Sequence, residues 1–176
     1  MHDAGRVDFQ DFNKEVLDLV TAPNVALHLS GAANDEQEDF FDIELDGREF
    51  REHMTSKRIQ FWYGDWSGLA ECIHQREGSE FQYDVILGSE VFYDPSSYAV
   101  LGRVLEQLLS PNGVAYIAGK TFYFGVGGSM QEFCAHLQNV RRDGMHLECM
   151  TCCSSQGAMG VVREVVEIRW VPDASR

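Results

Sequence analysis

No run in this chain stays apolar over the roughly 20 residues that a membrane-spanning helix requires, and the N-terminus lacks the charged-then-apolar order of a secretory leader. The chain is therefore expected in the cytoplasm, the nucleus or both, away from membranes. Basic residues are scarce: 14 Lys and Arg stand against 28 Asp and Glu, a formal charge of −14. A surface of that sign repels phosphate backbones and speaks against direct nucleic-acid binding. It favours encounter with a basic protein, although acidity also simply keeps proteins soluble. Cysteines are few and odd in number: Cys72, Cys134, Cys149, Cys152 and Cys153. Cys149-x-x-Cys152-Cys153 looks like half a zinc site, but no second ligand pair accompanies it, so no metal is expected. Reduced thiols are the simpler account.

What is present reads as one globular domain, expected to be monomeric: 176 residues, 44% hydrophobic and 11% aromatic, enough to bury a sizeable core. Arg6–Gln10 alternates as a short strand, after which Asn13 is placed to cap a helix with Val16, Leu17 and Val20 on its apolar face. Pro23-Asn24 should end that helix or mark a joint. From Asp35 to Glu52 lie nine carboxylates and two arginines, so 31–57 reads as an acidic, partly mobile insertion loop. Ile59–Gly64 is a second strand, with a helical stretch following to about Glu77. Tyr83–Gly88 is nearly continuously apolar, the pattern of a strand buried on both faces.

Asp94-Pro95 should open a helix, the aspartate capping and the proline preset for the first turn. Tyr98, Leu101, Leu105, Leu108 and Leu109 line one face of that helix. A turn at Ser110–Gly113, a strand at 114–118, a helix over about 129–142 and two closing strands, Met145–Cys152 and Val161–Val171, complete the chain. The last two fit an antiparallel hairpin around Ser154–Gly157. Alternating strands and helices ending in a hairpin predict an α/β class, a doubly wound, mostly parallel sheet with an antiparallel edge.

The densest signal lies between the 114–118 strand and the next helix, where Lys120-Thr121-Phe122-Tyr123-Phe124-Gly125-Val126-Gly127-Gly128 runs aromatics into three glycines. Glycine loses the most backbone entropy on folding. The run is either a tight strand-to-helix connection or a wall against which another chain or a flat ring lies. In such sheets ligands sit beyond the carboxyl ends of the strands. Those ends read Gln10-Asp11-Phe12-Asn13, Gly64-Asp65-Trp66, Ser89-Glu90-Val91-Phe92-Tyr93 and Lys120-Thr121-Phe122-Tyr123. A carboxylate such as Asp11 suits the hydroxyls of a ribose, and an acid with an indole, Asp65 and Trp66, suits adenine. Each taken singly has an ordinary structural reading, as a helix cap or a core tryptophan; together they point to a nucleoside.

These phrases resemble the seven-β-strand methyltransferases that use S-adenosylmethionine, and more narrowly the protein-histidine N-methyltransferase branch. The resemblance rests on Val7–Asn13, Val20–Val25, Tyr63–Trp66, Ser89–Tyr93 and Lys120–Gly128, covering about residues 6–140 outside the acidic insertion. It implies a Rossmann-like fold and S-adenosylmethionine held by Gln10, Asp11, Asn13, Gly64, Asp65, Trp66 and Ser89. It implies Glu90 and Tyr93 as catalytic residues, the first accepting an imidazole N–H and the second aligning the ring. It further implies a peptide path along Lys120, Phe122, Tyr123, Phe124, Gly125 and Gly127, and a histidine of a basic protein, such as a ribosomal protein, as substrate. One departure stands out: the family places a strand, a helix and a glycine-rich cofactor loop before the Gln-Asp-Phe-Asn phrase, and here Met1 lies five residues before that phrase's strand. The reading is thus of a domain missing its first strand and helix, a fragment of a longer enzyme. Lysine methylation on the same fold, or an inactive protein-binding module, are the competing readings.

Overall fold

The computed structural model describes residues 4–29, 47–56, 58–156 and 161–173. They form two compact units, one up to Asp65 and one from Trp66 on.

In the first unit β1 (Val7–Asp11) pairs in parallel with β2 (Ile59–Tyr63), Val7 opposite Ile59 and Asp11 opposite Tyr63. Strand alternation puts Phe9 and Phe61 on one face, where their rings stack with centroids 5.4 Å apart. On the other face Asp8 accepts from the Arg6 guanidinium at 2.6 and 2.7 Å and from the Trp62 indole N–H at 2.9 Å. Between the strands come α1 (Lys14–Val16), a π turn over Leu17–Thr21, α2 (Ala22–Leu29) and α3 (Gly47–Thr55).

Three expectations change here. Asn13 precedes the helix without a side-chain cap bond; its own N–H is instead held by Asp11 Oδ1 at 2.7 Å. Pro23 does not end the helix. Proline lacks the N–H and its ring clashes with the previous turn, and the π turn, with Ala22 N–H reaching Leu17 O, widens the helix immediately before it. Finally, Gly47–Thr55 of the acidic insertion is helical rather than a loop; its residues 31–46 lie outside the described residues.

The second unit is a five-stranded sheet in the order β3-β4-β7-β6-β5, built from β3 (Tyr83–Ser89), β4 (Leu109–Lys120), β5 (Arg141–Arg142), β6 (Met145–Gln156) and β7 (Val162–Pro172). Only β3 and β4 run parallel; β4–β7, β7–β6 and β6–β5 are antiparallel. The helices are α4 (Leu69–Glu77), α5 (Tyr98–Leu108) and α6 (Met130–Leu137). The class is α/β, with the antiparallel C-terminal hairpin that the sequence predicts.

Asp94 caps as expected, accepting from Ser96 N–H, with Pro95 in the first turn. Tyr98, Leu101 and Leu105 then face the core with Phe133 and Leu137 of α6 and Ala115, Ile117, Leu147, Val166 and Ile168 of the sheet; Leu108 is buried outside that cluster, and Leu109, expected on the helix face, opens β4 and joins the core from the sheet. Phe92 is fully buried among them, stacked on Phe133 at 5.2 Å and edge-on to Tyr123 at 5.5 Å.

Several boundaries move. Ser110–Gly113 is not a free turn: Tyr83 pairs with Leu109 and Val85 with Val114, so the segment is an irregularity carried inside β4. The last helix stops at Leu137, and Arg141–Arg142 leaves it to pair with β6. Ser154, Ser155 and Gln156 belong to β6, opposite Glu164, Arg163 and Val162, so the hairpin tip falls beyond them. Nor is β3 buried on both faces. It is the sheet's edge strand and the core lies on its Ile86 side, leaving Val85 and Leu87 exposed.

Candidate active site

Parallel strands deliver their carboxyl ends to one rim. In the first unit this gathers Gln10, Asp11, Gly64 and Asp65: Gly64 N–H bonds Asp11 O at 3.1 Å, and Gln10 Nε2 donates to Gly64 O at 2.9 Å. Gln10 is thus a clamp between the two strand ends. Asp11 commits one oxygen to the Asn13 N–H, and Asp65, the residue after Gly64, is exposed. A carboxylate at a strand end can accept from ribose hydroxyls, as expected of Asp11, and another can accept from an exocyclic amino group, as expected of Asp65. Trp66 opens the second unit, packing partly against that unit's core. It lines a groove of about 530 Å³ with Glu71, His74, Arg103 and Gln107.

In the second unit β3 and β4 bring together Ser89, Glu90, Tyr93, Lys120 and Tyr123. Glu90 sits one residue past β3 with φ +56, a left-handed backbone that costs a non-glycine residue about 1–2 kcal/mol. The conformation is held by Glu90 N–H to Ala118 O at 2.8 Å. The side chain is 45% exposed. Tyr123 donates its phenolic O–H to Glu90 Oε2 at 2.7 Å and accepts the Lys120 backbone N–H at 3.1 Å. Arg163 of β7 places Nε 4.0 Å from Glu90 Oε1. The Lys120 ammonium lies over the Tyr123 ring, 5.4 Å from its centroid, an attractive placement for a cation.

The glycine run is built around this pair. Tyr123 N–H bonds Gly128 O at 2.8 Å, Gly127 N–H bonds Tyr123 O at 2.9 Å and Gly128 N–H bonds Tyr93 O at 3.1 Å. A Cβ at Gly128 would lie 2.3 Å from Tyr93 O and 2.4 Å from Phe92 O; one at Gly119 would lie 2.6 Å from the Tyr123 hydroxyl oxygen. Only glycine lets these segments meet. Gly125 and Gly127 turn the chain at φ +83 and +95. The turn leaves Phe122 and Phe124 at the surface as an edge-to-face pair, centroids 4.9 Å apart, with Val126 and Tyr93 also exposed. Ser129 then caps α6, accepting from Glu132 N–H.

The expectation that Tyr123 walls the peptide path changes: its ring is buried, 7% exposed, and what reaches the rim is its hydroxyl bond to Glu90. Phe92, not Tyr93, is the core residue of the Ser89–Tyr93 phrase. Sequence reading missed the Glu90–Tyr123 bond and Arg163, because both join residues far apart in the chain and neither has a local signal. Cys134 and Cys149 lie half-buried against the core, whereas Cys152 and Cys153 are exposed, so the three cysteines of the Cys149–Cys153 run do not converge.

The Tyr123 phenol is pushed up to about 12, first by burial and then by its bond to Glu90. Below about pH 10 folded and unfolded chains both hold this proton and its contribution is complete; as pH rises toward 12 the unfolded chain releases the proton first, so stability falls by about 2 kcal/mol. Urea unfolding at pH 8 and at pH 11.5 measures this. Tyr123→Phe is expected to be less stable than wild type at pH 8, with the gap narrowing at pH 11.5. A gap that does not change with pH contradicts the assignment.

No protein-family model matches the chain. Curated relatives do. The histidine protein methyltransferase 1 homolog of Bos taurus is 35% identical over 133 residues, 74% of this chain and 35% of that protein. The homolog of Dictyostelium discoideum is 30% identical over 162 residues, 92% of this chain and 42% of that protein. Histidine protein methyltransferase 1 of Schizosaccharomyces pombe is 32% identical over 162 residues, 88% of this chain and 47% of that protein. The chain thus spans between about a third and a half of the length of these relatives. With the strand-end phrases and glycine run in place on an α/β fold, the chain is similar over most of its own length to the histidine protein methyltransferase 1 proteins.

Proposed function

We propose that this chain takes part in transferring a methyl group from S-adenosylmethionine to a histidine side chain of a basic protein, with a ribosomal protein as the expected kind of target. The observation that carries the reading is Glu90: an exposed carboxylate beyond the carboxyl end of a parallel strand, fixed in a strained backbone and bonded to a buried phenol. The name shared by the relatives supports it.

S-adenosylmethionine, when bound, supplies a methyl on a sulfonium. Asp11 and Asp65 fit its ribose and adenine as hydrogen-bond acceptors, Ser89 its methionine portion. Histidine has a reference pKa of about 6.5, so near pH 7 most of it already carries a lone pair and no strong base is needed. What the chain must do is hold the ring in one tautomer and orientation. Glu90 accepts the N–H of one ring nitrogen, leaves the other nitrogen unprotonated to attack, and steadies the imidazolium that forms. Tyr93 aligns the ring, while exposed Phe122, Phe124 and Val126 take apolar contacts of the flanking peptide. A formal charge of −14 favours approach of a lysine- and arginine-rich partner.

The test is product analysis. The chain is incubated with isotopically labelled S-adenosylmethionine and basic proteins, and the products are hydrolysed. Label in methylhistidine is the expected result; label confined to methyl-lysine refutes the histidine assignment.

A further inference from the structure

We infer that Tyr123 is a positioning residue for Glu90, its phenol locking the carboxylate so that one oxygen stays presented to the substrate imidazole. This inference rests on the proposed role of Glu90. A glutamate on an exposed rim samples several rotamers unless something restrains it. Arg163, half-exposed and 4.0 Å from Oε1, is a weak restraint. Tyr123 is a strong one, because nothing about its own position is adjustable. Its ring is buried edge-on to Phe92, the Lys120 ammonium covers one face, and Gly119 lacks the Cβ that would collide with its hydroxyl. The hydroxyl accepts the Lys120 backbone N–H at 3.1 Å, which directs its own hydrogen the other way, onto Glu90 Oε2 at 2.7 Å. A backbone amide, a phenol and a carboxylate therefore stand in one chain of hydrogen bonds, each polarising the next. Oε2 is committed to the phenol, and Oε1 is the oxygen left to accept from a ring N–H. Tyr123 has no other part in the reaction, yet a Cβ at Gly119 would lie 2.6 Å from its hydroxyl oxygen, so glycine there is what admits the phenol.

The experiment is a double-mutant cycle on the chain: wild type, Tyr123→Phe, Glu90→Gln and the double variant, assayed for methyl transfer to a basic peptide with one histidine. Phenylalanine keeps the ring packing and removes only the hydroxyl. Tyr123→Phe is expected to lower kcat about tenfold with KM changed less than twofold, and to change the rate less than twofold when Glu90 is already glutamine. An equal loss in both backgrounds, or no loss, overturns the inference. A second readout needs no turnover: the carboxyl carbon resonance of Glu90 in selectively labelled chain should move in Tyr123→Phe, and an unmoved resonance overturns the inference as well. If Glu90→Gln transfers at the wild-type rate, the proposed role of Glu90 fails instead, while the carboxyl resonance still decides whether Tyr123 holds that side chain.

Discussion

Glu90→Gln is expected to slow methyl transfer to histidine by about a hundredfold without unfolding the chain. Glutamine is the sharpest replacement. Its side-chain carbonyl still accepts from the Tyr123 phenol, and it keeps the length and backbone demands of glutamate. What it loses is the negative charge, and with it the preference for the imidazolium over the neutral ring. Because that charge matters as positive charge develops, the loss belongs in kcat more than in KM. Far-UV circular dichroism and the thermal midpoint should stay close to wild type, since Glu90 is a rim residue and not part of the core. A variant slowed less than threefold would show that Glu90 only shapes the turn after β3.

Gly128→Ala is expected to have the largest effect on stability, about 3 kcal/mol or more, in the upper range for overpacking. The new methyl would meet the Phe92 and Tyr93 carbonyl oxygens at 2.4 and 2.3 Å. Those are backbone atoms, unable to rotate away as a side chain would. Moving them means breaking the Gly128 N–H bond to Tyr93 O and shifting Phe92, which is fully buried. For a chain of this size the loss corresponds to a thermal midpoint lower by roughly 6–12 °C. Gly125→Ala serves as the comparison: its Cβ would meet nothing within 4 Å, so only the strain of φ +83 remains, about 1 kcal/mol. Equal midpoints for the two variants would remove close approach as the reason for the glycine run.

The strand-end residues were legible in the sequence because each is tied to a local rule. Alternation marked β1 and the aliphatic-aromatic run Ile59–Tyr63 marked β2, and their parallel pairing brings the strand ends at Asp11 and just before Asp65 to one rim. Asp94-Pro95 announced the start of α5 through capping and fixed proline geometry. The glycine run was legible as a constraint but not in its content. Of its two alternatives, the tight connection is present where Gly128 lies against the Phe92 and Tyr93 carbonyls, and Phe122 and Phe124 stand exposed beside it. The partnership of Tyr123 with Glu90 was hidden, since 33 residues separate them in sequence and only the pairing of β3 with β4 brings them together. Pro23-Asn24 was legible only as an end or a joint: the helix runs on past it, and the joint is a π turn, which no composition signal marks. The apolar run Tyr83–Gly88 misled because a strand's own residues do not say how many neighbours it has; in its unit β3 has only β4.

The most direct test is nuclear magnetic resonance of a lysine-rich peptide carrying one histidine labelled with nitrogen-15 in the ring, titrated with the chain near pH 7.5. Free imidazole exchanges between tautomers, and its two nitrogens report averaged shifts. Acceptance of one N–H by Glu90 predicts that the bound ring splits into one protonated and one unprotonated nitrogen, and that Glu90→Gln restores the average. A ring that stays averaged when saturated with the chain, or that splits equally with glutamine at position 90, contradicts the account.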